Sequence, residues 1–126
     1  SLKLKEVSYL YSEAYPAGEL KHGPIALLQE DSLVIGIATC ENTMEKLVSN
    51  LQECKARGSK ILSITTENNN IIKKVADNII YIPYAGEFIT PILANIPLQL
   101  FAYYMAINLG RDVDKPRNLA KSVTVE

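Results

Sequence analysis

Cysteine is scarce in this chain, where Cys40 and Cys54 stand alone and far apart. Two such residues exclude a disulfide framework and a zinc knuckle. No signal-peptide pattern precedes them, so the expectation is a reduced, intracellular protein of the cytoplasm. An excess of one charge is missing too: the formal net charge is -1, which gives no bulk attraction to nucleic acid or to an anionic membrane. The expected partner is a small molecule or another protein.

A long unbroken apolar run is also lacking. Residues 88–110 carry no charge over about the length that spans a bilayer, yet Pro91, Asn95, Pro97, Gln99 and Asn108 interrupt them and no basic cluster flanks them. Apolarity all around such a helix predicts burial on most sides, within a subunit or between subunits. What remains is an ordinary composition, 126 residues with 48% hydrophobic and 21% charged side chains. That is enough for one domain with a real core.

Three short Ile- and Val-rich runs, 33–39, 60–65 and 78–83, lack strict polar alternation. Strands covered on both faces of a parallel sheet read this way. Between the first two, Met44, Leu47, Val48, Leu51 and Cys54 form one helical stripe, with Asn42 and Glu45 spaced as a capping box and Gly58 past the end. Between the last two, an asparagine turn at 68–70 leads into a short helix through Ile71, Ile72, Val75 and Ala76. Thr90 and Pro91 then supply an N-cap and first-turn proline for a long helix to Gly110, with a kink expected at Pro97. Residues 2–11 read as helix, 12–15 as a short strand, and 16–28 as a turn with one or two helical turns. Alternating strands and helices make this a layered α/β domain. The boundaries drawn are a domain over 1–110 and a tail over 111–126.

The candidate chemistry is thin when residues are taken singly. His22, in a Glu19-Leu20-Lys21-His22-Gly23-Pro24 loop, can move protons near neutrality, although a lone loop histidine is more often plain surface. Lys3 and Glu6 share a helix face and could present an ammonium and a carboxylate to one ligand; a solvated ion pair is the default reading. Glu13 and Glu19 look no different from Glu6 on spacing alone. Lys121 has apolar neighbours that could lower its pKa toward a nucleophilic range, but a lysine near a C-terminus is usually an exposed charge, and Arg117 invites the same caution. The turn Thr39-Cys40-Glu41-Asn42-Thr43 has no glycine and carries a carboxylate where a phosphate would dock, so a substrate phosphate is expected elsewhere.

Taken together, Leu2-Lys3-Leu4-Lys5-Glu6, Glu13-Ala14-Tyr15, Gly18-Glu19-Leu20-Lys21-His22-Gly23-Pro24, Pro97-Leu98-Gln99-Leu100 and the closing run from Asp112, with Pro116-Arg117-Asn118-Leu119-Ala120-Lys121-Ser122-Val123-Thr124-Val125-Glu126, resemble the glucosamine-6-phosphate synthase family. Its members are also called isomerising glutamine:fructose-6-phosphate aminotransferases. The resemblance spans essentially the whole chain. It implies the second of two flavodoxin-like sugar isomerase (SIS) domains, a three-layer fold with a mainly parallel sheet, here without its first strand and without the glutaminase and first SIS domains.

The same resemblance implies roles. His22 helps open the fructose 6-phosphate ring in the site of the neighbouring subunit of a homodimer. Lys121 forms an imine at C2, and Glu6 shuttles a proton from C1 to C2 to give glucosamine 6-phosphate. Lys3 and Arg117 assist in binding substrate and ordering the tail, while the phosphate is held outside this chain. No metal or organic cofactor is implied, and a fragment of this kind is expected to be inactive alone. The competing expectations are a phosphosugar-binding regulatory SIS module and a purely structural dimerisation domain.

Overall fold

The computed structural model describes residues 1–67, 69–117 and 119–120. Among them, three α-helices, α1 (Leu2–Ser8), α2 (Met44–Lys55) and α3 (Thr90–Asn108), accompany three strands, β1 (Leu33–Ala38), β2 (Lys60–Thr66) and β3 (Asn78–Ile82). The strands pair in parallel in the order β1-β2-β3, with Gly36 beside Ser63 and Ile64 beside Ile80. The expected α/β fold with a parallel sheet is therefore present, and the strand limits fall within a residue of those read from the Ile/Val runs. β2 is the inner strand. β1 lies at an edge, and its Leu33 and Ile37 are half exposed.

The chain forms two compact units. One contains Tyr15–Pro97; the other contains Ser1–Ala14 and the residues from Leu98 on. In the larger unit, the stripe of α2 predicted from its spacing is the core: Met44, Val48, Leu51 and Cys54 are buried with Ala38 and Ile61 of the sheet and with Ile25, Ile72 and Val75 of the connections. Burying one such aliphatic side chain contributes roughly 1.5–3 kcal/mol. Gly36 lets the helix approach this closely, because a Cβ there would lie 2.8 Å from Leu51 Cδ1. On the same face of β2, the hydroxyls of Ser63 and Thr65 are buried but satisfied, donating to the Gly36 and Ala38 carbonyls at 3.1 and 2.7 Å.

Asn69 carries the connection after β2. Its Oδ1 accepts the Ile71 and Ile72 amides, and its Nδ2 donates to Thr65 Oγ1 at 2.9 Å. The result is a one-turn 3-10 helix over Ile72–Lys74. Asn68, also assigned to that turn, lies outside the described residues.

Three local expectations are corrected. The capping box does not form: a 3-10 turn over Glu41–Thr43 absorbs Asn42, and Thr43 becomes the residue before α2, without a side-chain cap. Thr90 is not an N-cap. The chain already turns at Gly86, so both the Thr90 amide and its hydroxyl bond to the Gly86 carbonyl, the back-bonding pattern of a residue inside a turn. Residues 12–15 form no strand, since an extended segment without a ladder partner has nothing to hold it. Of α3, the chain itself covers one stripe only. Small Ala94, Ala102 and Ala106 are covered, whereas Ile92, Ile96, Leu100, Tyr104 and Ile107 are exposed. Among the described residues, no helix is long and apolar enough to cross a membrane.

Candidate active site

The smaller unit gathers the first group of candidates. α1 is a two-turn helix whose i,i+3 spacing puts Lys3 Nζ 3.2 Å from Glu6 Oε2. The two ends of the pair differ: Lys3 is 71% exposed and Glu6 only 21%. At its start, the helix is tied back to Ser12 by reciprocal Ser1 and Ser12 hydroxyl-to-carbonyl bonds of 2.8 and 3.0 Å. At its end, Ser8 donates to the Leu4 carbonyl and Tyr9 turns into the left-handed region, its amide bonded to the Lys5 carbonyl. Glu6 and Lys3 open onto a cavity of about 330 Å³, whose other walls are Val7, Val113, Asp114, Pro116 and Leu119. A second hollow of about 300 Å³ shares Lys3, Val7, Val113 and Asp114, and adds Gln99, Ala102 and Tyr103 of α3.

The far wall of the first cavity is set by the exit of α3. Gly110, with φ of 66°, closes the helix: its amide bonds to Ile107 and that of Arg111 to Ala106, a paired closure that favours glycine in the left-handed position. Asp112 Oδ1 then accepts the amides of Asp114 and Lys115 at 2.9 and 3.0 Å, folding 112–115 into a side-chain-capped turn. Arg117 follows, with its amide donated to Tyr9 Oη at 2.8 Å and its guanidinium 3.9 Å from the centre of the Tyr9 ring.

His22 belongs to the larger unit. It ends a 3-10 helix over Ala17–His22 in which no residue is buried. With three residues per turn, i and i+3 eclipse, and His22 Nδ1 meets Glu19 Oε2 at 2.8 Å. A carboxylate can only accept, so Nδ1 carries the proton of this bond and Nε2 is left as the basic nitrogen when the ring is neutral. The helix is anchored by Lys21, whose ammonium reaches Glu53 of α2 at 2.6 Å.

The sequence-predicted residues thus divide. Lys3 and Glu6 touch, and Arg117 joins them in the same unit beside the cavity wall. His22 stands in the other unit, 73% exposed. Lys121 lies outside the described residues. Two residues in contact with the candidates were not singled out: Glu19, whose spacing from His22 was a legible signal, and Tyr9, which nothing in the sequence marked. Among the described residues, no cluster of three or more His, Cys, Asp or Glu side chains could hold a metal ion.

Comparison with known proteins shows the family. Residues 1–109 match the family profile of the SIS domain. Two relatives named glutamine–fructose-6-phosphate aminotransferase (isomerising) align along the whole chain, at 56% identity in Caldanaerobacter subterraneus subsp. tengcongensis and 55% in Thermus thermophilus. The chain spans only 21% of the length of each. Among solved structures, the C-terminal domain of glucosamine-fructose-6-phosphate aminotransferase from Francisella tularensis matches 90% of this chain and 32% of its own, with a TM-score of 0.81 at 38% identity. A glucosamine-6-phosphate deaminase from Thermotoga maritima matches 98% of this chain and 35% of its own, with a TM-score of 0.74 at 29% identity. With its parallel α/β sheet and a profile match over nearly all its length, this chain belongs to the SIS-domain family.

Proposed function

We propose that this chain is the C-terminal isomerase domain of an enzyme that makes glucosamine 6-phosphate from fructose 6-phosphate and glutamine, in the cytoplasm. The carrying observation is the Lys3–Glu6 pair, with a largely covered carboxylate opening onto a cavity large enough for part of a phosphosugar. Alignment with aminotransferases over the full chain supports it.

In this reading His22 donates and accepts the proton that opens the sugar ring, its basic Nε2 set by Glu19, and it does so in the site of a second copy of the chain. The Lys121 amine adds to C2 of the open ketose, and water leaves to give an imine. Ammonia released from glutamine displaces the lysine, leaving a fructosimine. Glu6 takes a proton from C1 and returns it to C2, which converts the fructosimine to the 2-amino aldose. A partly covered carboxylate held by Lys3 suits this work, since a general acid–base group must be positioned within reach of the proton it moves. Lys3 orients the open-chain hydroxyls and Arg117 orders the segment leading to Lys121. The chemistry needs no metal or organic cofactor. The phosphate grip and the ammonia source lie in the remaining four-fifths of the enzyme, so the fragment alone is inactive.

The test is synthesis of glucosamine 6-phosphate by the full-length enzyme. Glu6→Gln is expected to lower kcat by about 10²–10⁴, the range for loss of a general acid–base group. Lys121→Ala is expected to abolish both turnover and trapping of a substrate imine by borohydride. Undiminished turnover in both variants rejects the assignment, and synthesis by the isolated chain rejects its dependence on the rest.

A further inference from the structure

We propose that Tyr9 is a positioning residue for this reaction, fixing the segment after α3 against the end of α1 and so setting where the chain beyond Arg117 departs relative to Glu6. The proposal rests on the functional reading above. Tyr9 follows α1 directly, three residues after Glu6, with φ of 63° and ψ of 18°. Glycine takes that left-handed conformation without strain and is the usual residue at such a helix end. A tyrosine there is strained, and its side chain makes contacts that glycine could not.

Three contacts converge on it. Its hydroxyl accepts the Arg117 amide at 2.8 Å. The Arg117 guanidinium lies 3.9 Å and that of Arg111 5.2 Å from the centre of its ring. Residues 111 and 117 bracket the segment that walls the Glu6 cavity through Val113, Asp114 and Pro116. One aromatic ring therefore holds both ends of that wall, and the Asp112 turn stiffens what lies between. Cation–π contacts and a backbone hydrogen bond act together here, and neither alone fixes both position and direction.

The consequence reaches the amine. Three residues lie between Arg117 and Lys121, and the four steps from one to the other span at most about 14 Å. Clamping the Arg117 backbone to Tyr9 fixes the point from which the chain leads on toward Lys121. Released from Tyr9, the same tail would spread the amine over a larger volume and lower the fraction of molecules in reacting geometry.

The test uses the full-length enzyme with Tyr9→Leu, which removes ring and hydroxyl, and Tyr9→Phe, which keeps the ring. Tyr9→Leu is expected to lower kcat about tenfold and to slow borohydride trapping of the fructose 6-phosphate imine in parallel, with KM within about threefold of wild type. Tyr9→Phe is expected to recover part of that loss, leaving kcat about threefold below wild type. Wild-type kcat and trapping rate in folded Tyr9→Leu overturn the proposal, even if thermal stability falls. Should Tyr9→Leu not fold, Tyr9→Phe decides: a fall of about threefold in kcat at unchanged KM supports the clamp, and an unchanged kcat overturns it. Lys121→Ala, run alongside, separates the two ideas. If it still turns over and traps substrate, the functional reading itself fails, whatever Tyr9 does.

Discussion

His22 Nδ1 and Glu19 Oε2 lie 2.8 Å apart on one eclipsed face of a 3-10 helix. The bond requires hydrogen on Nδ1, leaving Nε2 as the nitrogen that would meet a sugar oxygen in the proposed mechanism. Glu19→Gln can present its amide nitrogen instead of an oxygen, so both tautomers become accessible. The expected result is a fall of roughly tenfold in kcat with KM little changed. A kcat equal to wild type rejects the role.

The exposure of His22 on a helix with no buried residue allows it to serve another copy of the chain. His22→Ala and Glu6→Gln enzymes are each expected to be nearly inactive, but after subunit exchange a mixed dimer contains one site with both native residues. With random mixing, about a quarter of wild-type activity returns. No recovery, under conditions where exchange is verified by mass, places His22 in its own subunit's site.

Gly36 marks the closest approach of α2 to the sheet, with Leu51 Cδ1 2.8 Å from where a Cβ would lie. Gly36→Ala must push back a leucine that is itself only 2% exposed. A loss of about 1–3 kcal/mol in unfolding free energy is expected from this overpacking. Urea denaturation checks it, and an unchanged midpoint would show that Leu51 can move freely.

Asp77 accepts hydrogen bonds from Lys55 Nζ at 2.7 Å and from the Ile61 amide at 2.8 Å. These bonds, the lysine's foremost, hold its carboxyl below the usual carboxylate range. The folded state therefore favours the ionised form. Its stabilisation is complete above the unfolded value near about 3.9 and disappears as pH falls through the lowered folded value. Asp77→Asn should flatten the dependence of the urea midpoint on pH between about pH 2 and pH 5. An unaltered slope would mean that other carboxylates carry the acid sensitivity.

The two cysteines should behave differently toward thiol reagents. Cys54 is fully buried, and burial pushes its thiol above the ordinary value, whereas Cys40 is exposed after β1. Only the thiolate reacts. Peptide mapping after native alkylation is expected to find label at Cys40 and none at Cys54, with both labelled in denaturant. Native labelling of Cys54 would reveal frequent opening of the core beneath α2.

The sheet and α2 were legible because their signals are local and redundant: Ile/Val runs for β1 to β3, and a stripe from Met44 to Cys54. The helix starts were not, because capping depends on whether the chain is already turning. Asn42 lost its place to the turn at Glu41, and Thr90 to the turn at Gly86. The exposure of Ile92 and Ile96 escaped because apolarity reports the wish to be covered and not the coverer. In the site, Glu6 and His22 were indistinguishable from surface charges without a family resemblance. Tyr9 was invisible because its partners come from more than a hundred positions away, a separation that no periodicity encodes.

β1 has one flank bonded to β2 and no strand on the other among the described residues. That flank is a row of amides and carbonyls with half-exposed Leu33 and Ile37 beside it, and such a margin accepts any extended segment of matching pattern. The chain on its own is therefore expected to self-associate by strand addition as its concentration rises, which light scattering would detect, and a short peptide annealed along β1 should suppress it.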